Sequence, residues 1–278
     1  MKYEEKIKKE KFHYKKRLGQ NFLHQKEKVL RIIEAIAPAK DETYIEIGAG
    51  TGFLTLELVD KVKKLHAIEI DREAFNILQA KFTGKENIEL INADVMQSDI
   101  KTIAGPQAFE KKIKVIGNIP YYITTPIIEK LIENKEIISK AYLMVQKEVA
   151  ERITAKEGSK IYGSLSIFCQ YYADCKVLLK IGKENFVPVP EVDSAFIEID
   201  FEKKEPIKVI NEEFFFKVTR GGFTQRRKML MNNLKRTLEM SEPVLKKAFE
   251  IANIDIKARA EAVSILSFAK LADLLYNS

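Results

Sequence analysis

An α/β domain on a mostly parallel seven-stranded sheet, followed by a small all-helical domain, is the architecture the sequence predicts. Three observations carry it. Short β-rich apolar runs alternate with helical patterns through the first 200 residues, the signature of a parallel sheet wrapped by helices. A glycine-rich turn, Gly48-Ala49-Gly50-Thr51-Gly52, joins the first of those runs to a helical pattern. The β pattern then stops at Glu202-Lys203-Lys204-Glu205-Pro206, and apolar residues recur at three- and four-residue spacing to the end.

Taken in order, the candidate strands are Tyr44–Ile47, Leu65–Ile70, Ile88–Asn92, Lys114–Gly117, Ala141–Val145, Lys176–Ile181 and Ala195–Phe201. Helix-compatible patterns fall at Phe53–Asp60, Arg72–Phe82, Pro126–Asn134, Glu148–Thr154 and Leu165–Tyr172. No helical pattern separates the last two strands, only the proline-rich stretch from Gly182 to Pro190, which predicts an antiparallel hairpin closing the sheet. Phe214–Val218, Arg226–Glu239, Pro243–Ala252 and Ala262–Tyr276 supply the helical domain. The expected division is a basic extension over 1–16, the α/β domain over 17–203 and the helical domain over 204–278. No internal repeat or low-complexity linker interrupts it.

Composition narrows the class of function. Hydrophobic content of 46% and charged content of 31% describe a globular chain, and no run of 18 apolar residues provides a membrane span. The N-terminus is charged and lacks the apolar stretch of a signal peptide, so a cytoplasmic location and no membrane partner are expected. Cys169 and Cys175 have no histidine neighbours at ligand spacing, so neither a metal site nor a disulfide framework is indicated. His13, His24 and His66 are scattered and pair with no nucleophile. The net charge of +7 is unevenly spread: Met1–Lys28 carries +6 and Thr219–Arg236 another +6 with no acid. Brought together, two such segments suit phosphates; read separately, each is a solvated face or tail.

The glycine turn points to a ligand. Glycines such as Gly48 and Gly50 let the backbone approach a bound molecule at the carboxyl end of a strand. Their spacing, G-x-G-x-G, is not the G-x-G-x-x-G that sets a pyrophosphate on a helix N-terminus. S-adenosylmethionine, which has no phosphate, fits the altered spacing. Glu69 ends the second strand 21 residues after Gly48, where an acid can bind both ribose hydroxyls. Asp94, just after the third strand, can accept from the cofactor's adenine amino group. Alternatives stand beside each: a turn that only packs strand on helix, a Glu69 paired with Lys64 or Arg72, and an Asp94 that caps the next turn.

Asn118-Ile119-Pro120-Tyr121, after the apolar run Val115-Ile116-Gly117, suits methylation of an aromatic amine. The exocyclic nitrogen of adenine is a poor nucleophile because its lone pair is delocalised into the ring. An Asn oxygen and a backbone carbonyl beside a proline can accept from that amino group and draw its nitrogen towards tetrahedral geometry, while Tyr121 stacks on the base. The competing reading is a strand-end turn, which Asn and Pro favour anyway.

Five motifs in order carry a resemblance: Gly19-Gln20-Asn21-Phe22-Leu23, the stretch Glu46–Gly52, Asn118–Tyr121, Phe186–Ala195 and Phe223–Lys228. Together with Arg259-Ala260-Glu261 they closely resemble the KsgA family, over Lys16 to the C-terminus. Those enzymes dimethylate adenine N6 in small-subunit (16S) ribosomal RNA. The resemblance implies a Rossmann-like class I methyltransferase domain using S-adenosylmethionine. It implies two adjacent target adenines near the RNA 3′ end, offered in an immature 30S particle. It places cofactor contacts on Asn21, Leu23, Gly48, Glu69, Asp94 and Asn118, and target-base contacts on Asn118, Tyr121 and Phe186, with the two rings sandwiching the adenine. Phe186 can equally be a core aromatic. Arg226, Arg227 and Lys228 read as phosphate contacts or as plain surface charge. Ile119 replaces the commoner Leu and Ala49 stands where Pro is frequent, both positions contributing mainly backbone. No oligomer signature is readable, so a monomer is expected. A large-subunit adenine methyltransferase of the antibiotic-resistance type, or a chain acting chiefly in ribosome assembly, are the alternatives.

Overall fold

The computed structural model describes residues 14–15, 18–202 and 206–278. The expected N-terminal extension therefore lies outside the described residues apart from Tyr14 and Lys15, as does most of the predicted break at Glu202–Pro206. Two compact units form. One takes Met1–Ala150 and Lys176–Glu202; the other takes Glu151–Cys175 and Lys203–Ser278.

The first unit is the α/β unit. Its strands are β1 (Phe22–Leu23), β2 (Thr43–Ile47), β3 (Lys64–Glu69), β4 (Ile88–Asn92), β5 (Ile113–Asn118), β6 (Ile138–Gln146), β7 (Asp174–Ile181), β8 (Phe186–Val187) and β9 (Ser194–Asp200). Seven of them form one sheet in the order β4-β3-β2-β5-β6-β9-β7. Strands β4, β3, β2, β5 and β6 run parallel, and β9 lies antiparallel to β6, inserted between it and β7. The two-residue strands β1 and β8 make a separate antiparallel pair in which Phe22 faces Val187 and Leu23 faces Phe186. Among helices, α1 (Lys26–Ile36), α2 (Phe53–Leu58), α3 (Arg72–Phe82), α4 (Ile100–Ala104), α5 (Thr124–Glu133) and α6 (Lys147–Thr154) follow in turn.

Strand order explains where a ligand can sit. The chain leaves β2, adds β3 and β4 outward on one side, then returns to place β5 on the other side of β2. Parallel strands wound in opposite directions from one point leave a crevice at their carboxyl ends. Gly48, Glu69, Asn92 and Asn118 stand at those ends of β2, β3, β4 and β5.

Helix α1 has no counterpart among the predicted helices. It buries Val29, Ile32, Ile33 and Ile36, an i, i+3, i+4, i+7 stripe, and ends on Ala37 in the left-handed region. Its apolar face joins the core that holds Tyr44, Leu58, Leu65, Tyr142 and Phe196.

The second unit contains α7 (Ser164–Tyr172), α8 (Glu212–Gly222), α9 (Leu230–Leu238), α10 (Glu242–Ile251) and α11 (Ile265–Tyr276). Its core joins Ala155, Tyr162, Ile167 and Tyr171 to Phe215, Leu234, Phe249, Phe268 and Leu271. The segment 151–175, expected inside the α/β domain, thus packs with the C-terminal helices, because its apolar residues are buried against theirs. Helix α9 begins at Leu230, four residues later than the pattern predicts. The buried Asn233 donates through Nδ2 to the carbonyls of Gly222 (2.6 Å) and Gln225 (3.0 Å), which holds the preceding stretch in turns.

Gly52 illustrates how tightly the first unit is closed. It N-caps α2 at φ +86°, and a Cβ there would stand 2.8 Å from Leu78 and 2.9 Å from Phe82, both core residues of α3. Gly84 has φ +81° but open space around it. Gly84→Ala should therefore cost about 1 kcal/mol from backbone strain alone, and Gly52→Ala about 2–4 kcal/mol from strain plus overpacking, read as urea-unfolding midpoints. Equal losses would show that the helix-strand contact yields.

Candidate active site

The carboxyl ends of the parallel strands are tied to one another by hydrogen bonds of the turns that follow them. The backbone N–H groups of Gly48 and Ala49 donate to the Ile68 carbonyl (2.9 and 3.1 Å), and Ala93 N–H donates to the Glu69 carbonyl (3.2 Å). Glu69 itself is 5% exposed. Its Oε2 accepts from Gly50 N–H and its Oε1 from Asp71 N–H, both at 2.7 Å. Burial pushes the Glu69 carboxyl above its ordinary value, and those two N–H groups pull it back.

A cavity of about 230 Å³ opens over these ends. Five consecutive residues, Leu18 to Phe22, form one wall; Glu69, Asp94, Ile68, Ile70 and Met96 contribute another, and Asn118 to Ile123 a third. Of the seven expected cofactor contacts, Asn21, Gly48, Glu69, Asp94 and Asn118 line it. Leu23 and Gly50 do not. Leu23 is a core residue, since the β1–β8 pairing turns it into the apolar cluster, and Gly50 stands behind the wall with its N–H on Glu69. The ring of Phe22 lies over Gly50, at φ +59°, so closely that a Cβ would come within 2.5 Å of it. The Asp94 Oδ1 accepts from Met96 N–H (2.9 Å), so the cap expected as an alternative also exists.

Asn118 spends its Nδ2 on the carbonyl of Asn21 (2.8 Å), which joins two walls of the cavity and leaves the amide oxygen as an acceptor. Tyr121 sits in a single 3₁₀ turn, Tyr121–Ile123, and its hydroxyl shares a 2.6 Å hydrogen bond with Ser194 Oγ. Burial keeps that hydroxyl above the usual phenol range, hence neutral. Phe186, expected as the second ring on the base, is 0% exposed and packed in the core opposite Leu23, so it does not line the cavity. The exposed ring in the wall is Tyr122, at 64%.

A second cavity of about 40 Å³ shares Phe22, Gly48 and Asn118 with the first and has Glu46 in its wall. Glu46 is buried and its Oε2 has no hydrogen-bond partner among the described residues. Burial pushes its carboxyl up to about 8.

The other expected contacts lie in the second unit. Arg226 donates through one guanidinium nitrogen to the carbonyls of Lys160 and Tyr162, the latter at 3.1 Å, so it braces the unit's own chain while remaining exposed. Arg227 and Lys228 are exposed on the turn before α9. Sequence reasoning missed Lys15, Gln20, Asp71 and Ser194 as partners of the site. For Asp71 a signal existed: Asp-Arg-Glu after a strand is a helix N-cap, and Asp71 does cap α3. Among the described residues no group of three or more His, Cys, Asp and Glu side chains is placed to hold a metal, and no helix is long and apolar enough to cross a membrane.

The donor set fits a cationic nucleoside. Among the described residues the lining holds two carboxylates, no Lys and no Arg, which suits a sulfonium better than a phosphate.

Glu46 yields a test. Its folded-state pKa lies above the ordinary 4.5, so folding binds the proton more tightly, and stability is lost as pH rises from there through about 8. Glu46→Gln removes that dependence. Thermal midpoints of wild type should fall relative to the variant by on the order of a few degrees between about pH 6 and pH 9. Parallel curves would contradict the burial of this acid.

Comparison with known proteins agrees with this geometry. The sequence matches the family described as Ribosomal RNA adenine dimethylase over residues 11–277. A protein of Fusobacterium nucleatum named Ribosomal RNA small subunit methyltransferase A is 44% identical over 262 residues, 94% of this chain and 97% of that one. Among solved structures, the 23S rRNA methyltransferase ErmE aligns with TM-score 0.72 at 25% identity, over 92% of this chain and all of that one. A dimethyladenosine transferase from Plasmodium falciparum aligns with TM-score 0.72 at 25% identity, over 88% and 94%. With a seven-stranded, mostly parallel sheet, a crevice over the strand ends and near-full-length relatives, this chain belongs to the ribosomal RNA adenine dimethylase family of S-adenosylmethionine-dependent methyltransferases.

Proposed function

We propose that this chain dimethylates N6 of adenines in small-subunit ribosomal RNA, two adjacent adenines near the 3′ end, acting as a cytoplasmic monomer on the immature 30S particle. The observation that carries the reading is the cavity itself: among the described residues, two carboxylates and no cation at one side, Asn118-Ile119-Pro120-Tyr121 at the other. The relative of Fusobacterium nucleatum supplies the choice of subunit through its name.

S-adenosylmethionine supplies, when bound, a methyl group on a positively charged sulfur. Glu69 offers its carboxylate, preset by two backbone N–H groups, to the ribose hydroxyls. Asp94 accepts from the cofactor's adenine amino group through the carboxylate that Met96 N–H holds in place. Asn21 and Gly48 supply backbone at the same cavity. Asn118, its Nδ2 engaged by Asn21, presents its oxygen to the target N6 amino group and orients the lone pair for in-line attack. Tyr121, fixed by Ser194, stacks on the target base, and Tyr122 offers a second, exposed ring at the same wall. The attacked amine becomes acidic only once the methyl has arrived, so the site needs orientation and electrostatic fit and no strong base. Arg227 and Lys228 are the cations proposed to meet RNA phosphates; Arg226 positions them through its hold on the chain.

Tyr121→Ala should lower turnover roughly 10- to 100-fold, the range expected for one lost base-stacking contact, while calorimetry shows nearly unchanged affinity for S-adenosylhomocysteine. Loss of that affinity with an unchanged rate at saturation would reverse the assignment. Methyl transfer to immature 30S particles, compared with naked large-subunit RNA, tests the substrate. Uptake on the large-subunit RNA alone would overturn it.

A further inference from the structure

The wall from Leu18 to Phe22 has little structure of its own. Among the described residues its regular features are the hydrogen bond from Leu18 N–H to the Lys15 carbonyl (3.0 Å) and the two-residue strand β1. Irregular segments near a terminus stay in place only through tertiary ties. Three ties have been met already: Asn118 on the Asn21 carbonyl, the Phe22 ring over Gly50 and the pairing of β1 with β8. Two more converge on one side chain.

Asp71 is that side chain, fully buried at 0% exposure. Its Oδ1 receives the Lys15 ammonium, and its Oδ2 accepts from Gln20 Nε2 (2.8 Å). Gln20 is fixed in turn, because its Oε1 accepts from Lys15 N–H (2.8 Å). Oδ1 also accepts from Glu73 N–H (3.0 Å), capping α3. Burial alone would raise the Asp71 carboxyl, but Lys15, Gln20 and Glu73 together hold it below its ordinary value. The backbone N–H of the same residue donates to Glu69 Oε1. One residue therefore grips the wall with its side chain and the ribose-binding acid with its backbone.

We infer that Asp71 is a positioning residue that latches the 18–22 wall over the methyl-donor cavity, so that Lys15 and Gln20 contribute to cofactor affinity through it. The inference rests on the reading of this cavity as the S-adenosylmethionine site. A ligand that touches both Glu69 and the wall favours the latched state, and by linkage the latch favours the ligand.

Calorimetry with S-adenosylhomocysteine on the full chain tests it. The double variant Lys15→Met, Gln20→Ala leaves the α3 cap and the Asp71 N–H on Glu69 untouched. Its Kd should rise about tenfold, the worth of one charge-assisted hydrogen bond. Asp71→Ser keeps a capping hydroxyl but cannot hold both partners, and should show a similar loss. Combining all three substitutions should add little, because they break one latch. Hydrogen exchange at the amides of 18–23 should slow on ligand binding in wild type and stay fast in the variants. A double variant that binds within about twofold of wild type, or losses that add in full, overturns the latch. Wild type that fails to bind S-adenosylhomocysteine at all overturns the cavity reading, and with it the inference.

Discussion

Two backbone N–H groups on one buried carboxylate hold this site in register. Glu69 ends β3, and the N–H groups of Gly50 and Asp71 that grip it belong to the turn after β2 and the cap of α3. An unpaired carboxylate in that position would be too costly to keep ionised. The glycine turn therefore has to fold back far enough to bring Gly50 N–H onto the acid, which it does at positive φ, under the ring of Phe22. Turn geometry, acid placement and the seat of the N-terminal wall are consequences of one another.

What was legible in the sequence follows from which signals are local. The seven strands and the turn after β2 were readable because buried parallel strands are continuous apolar runs and a glycine turn is punctuation. Helix α1 was missed although Val29, Ile32, Ile33 and Ile36 carry a full helical stripe, since its polar positions merge with the charged segment before it. The allegiance of 151–175 was not readable at all. Its helices have ordinary amphipathic patterns, and only the long-range meeting of Tyr162 and Tyr171 with Phe215 and Phe268 decides which core they join. Phe186 and Leu23 stand outside the larger cavity for a related reason: a two-residue strand pair sets which way each side chain points, and no pattern of two residues reveals its register. Arg226 looked like its neighbours in sequence, yet two backbone carbonyls 64 and 66 residues away accept from one nitrogen of its guanidinium.

The separation of charge gives the site its selectivity. A chain with net +7 has a ligand cavity whose lining, among the described residues, carries two acids and no base. Such a lining favours a cationic donor. Polyphosphate nucleotides, matched in their adenosine half, meet repulsion instead.

The same acids constrain how the polymer can approach. An RNA backbone cannot follow its base into a carboxylate-lined cavity, because each phosphate would bring a like charge against Glu69 or Asp94. Only the neutral base can enter, so the target nucleotide has to be unstacked, or unpaired beforehand, with its phosphates left outside. On the proposed reading it would meet Asn118 and Tyr121 at the wall, and both are held from behind, one by the Asn21 carbonyl and the other by Ser194. Affinity for the polymer then has to come from exposed cations elsewhere on the chain, which fix position without reading the base. Chemistry and polymer binding are thereby assigned to surfaces of opposite charge, and the base is the only part of the substrate that can pass from one to the other.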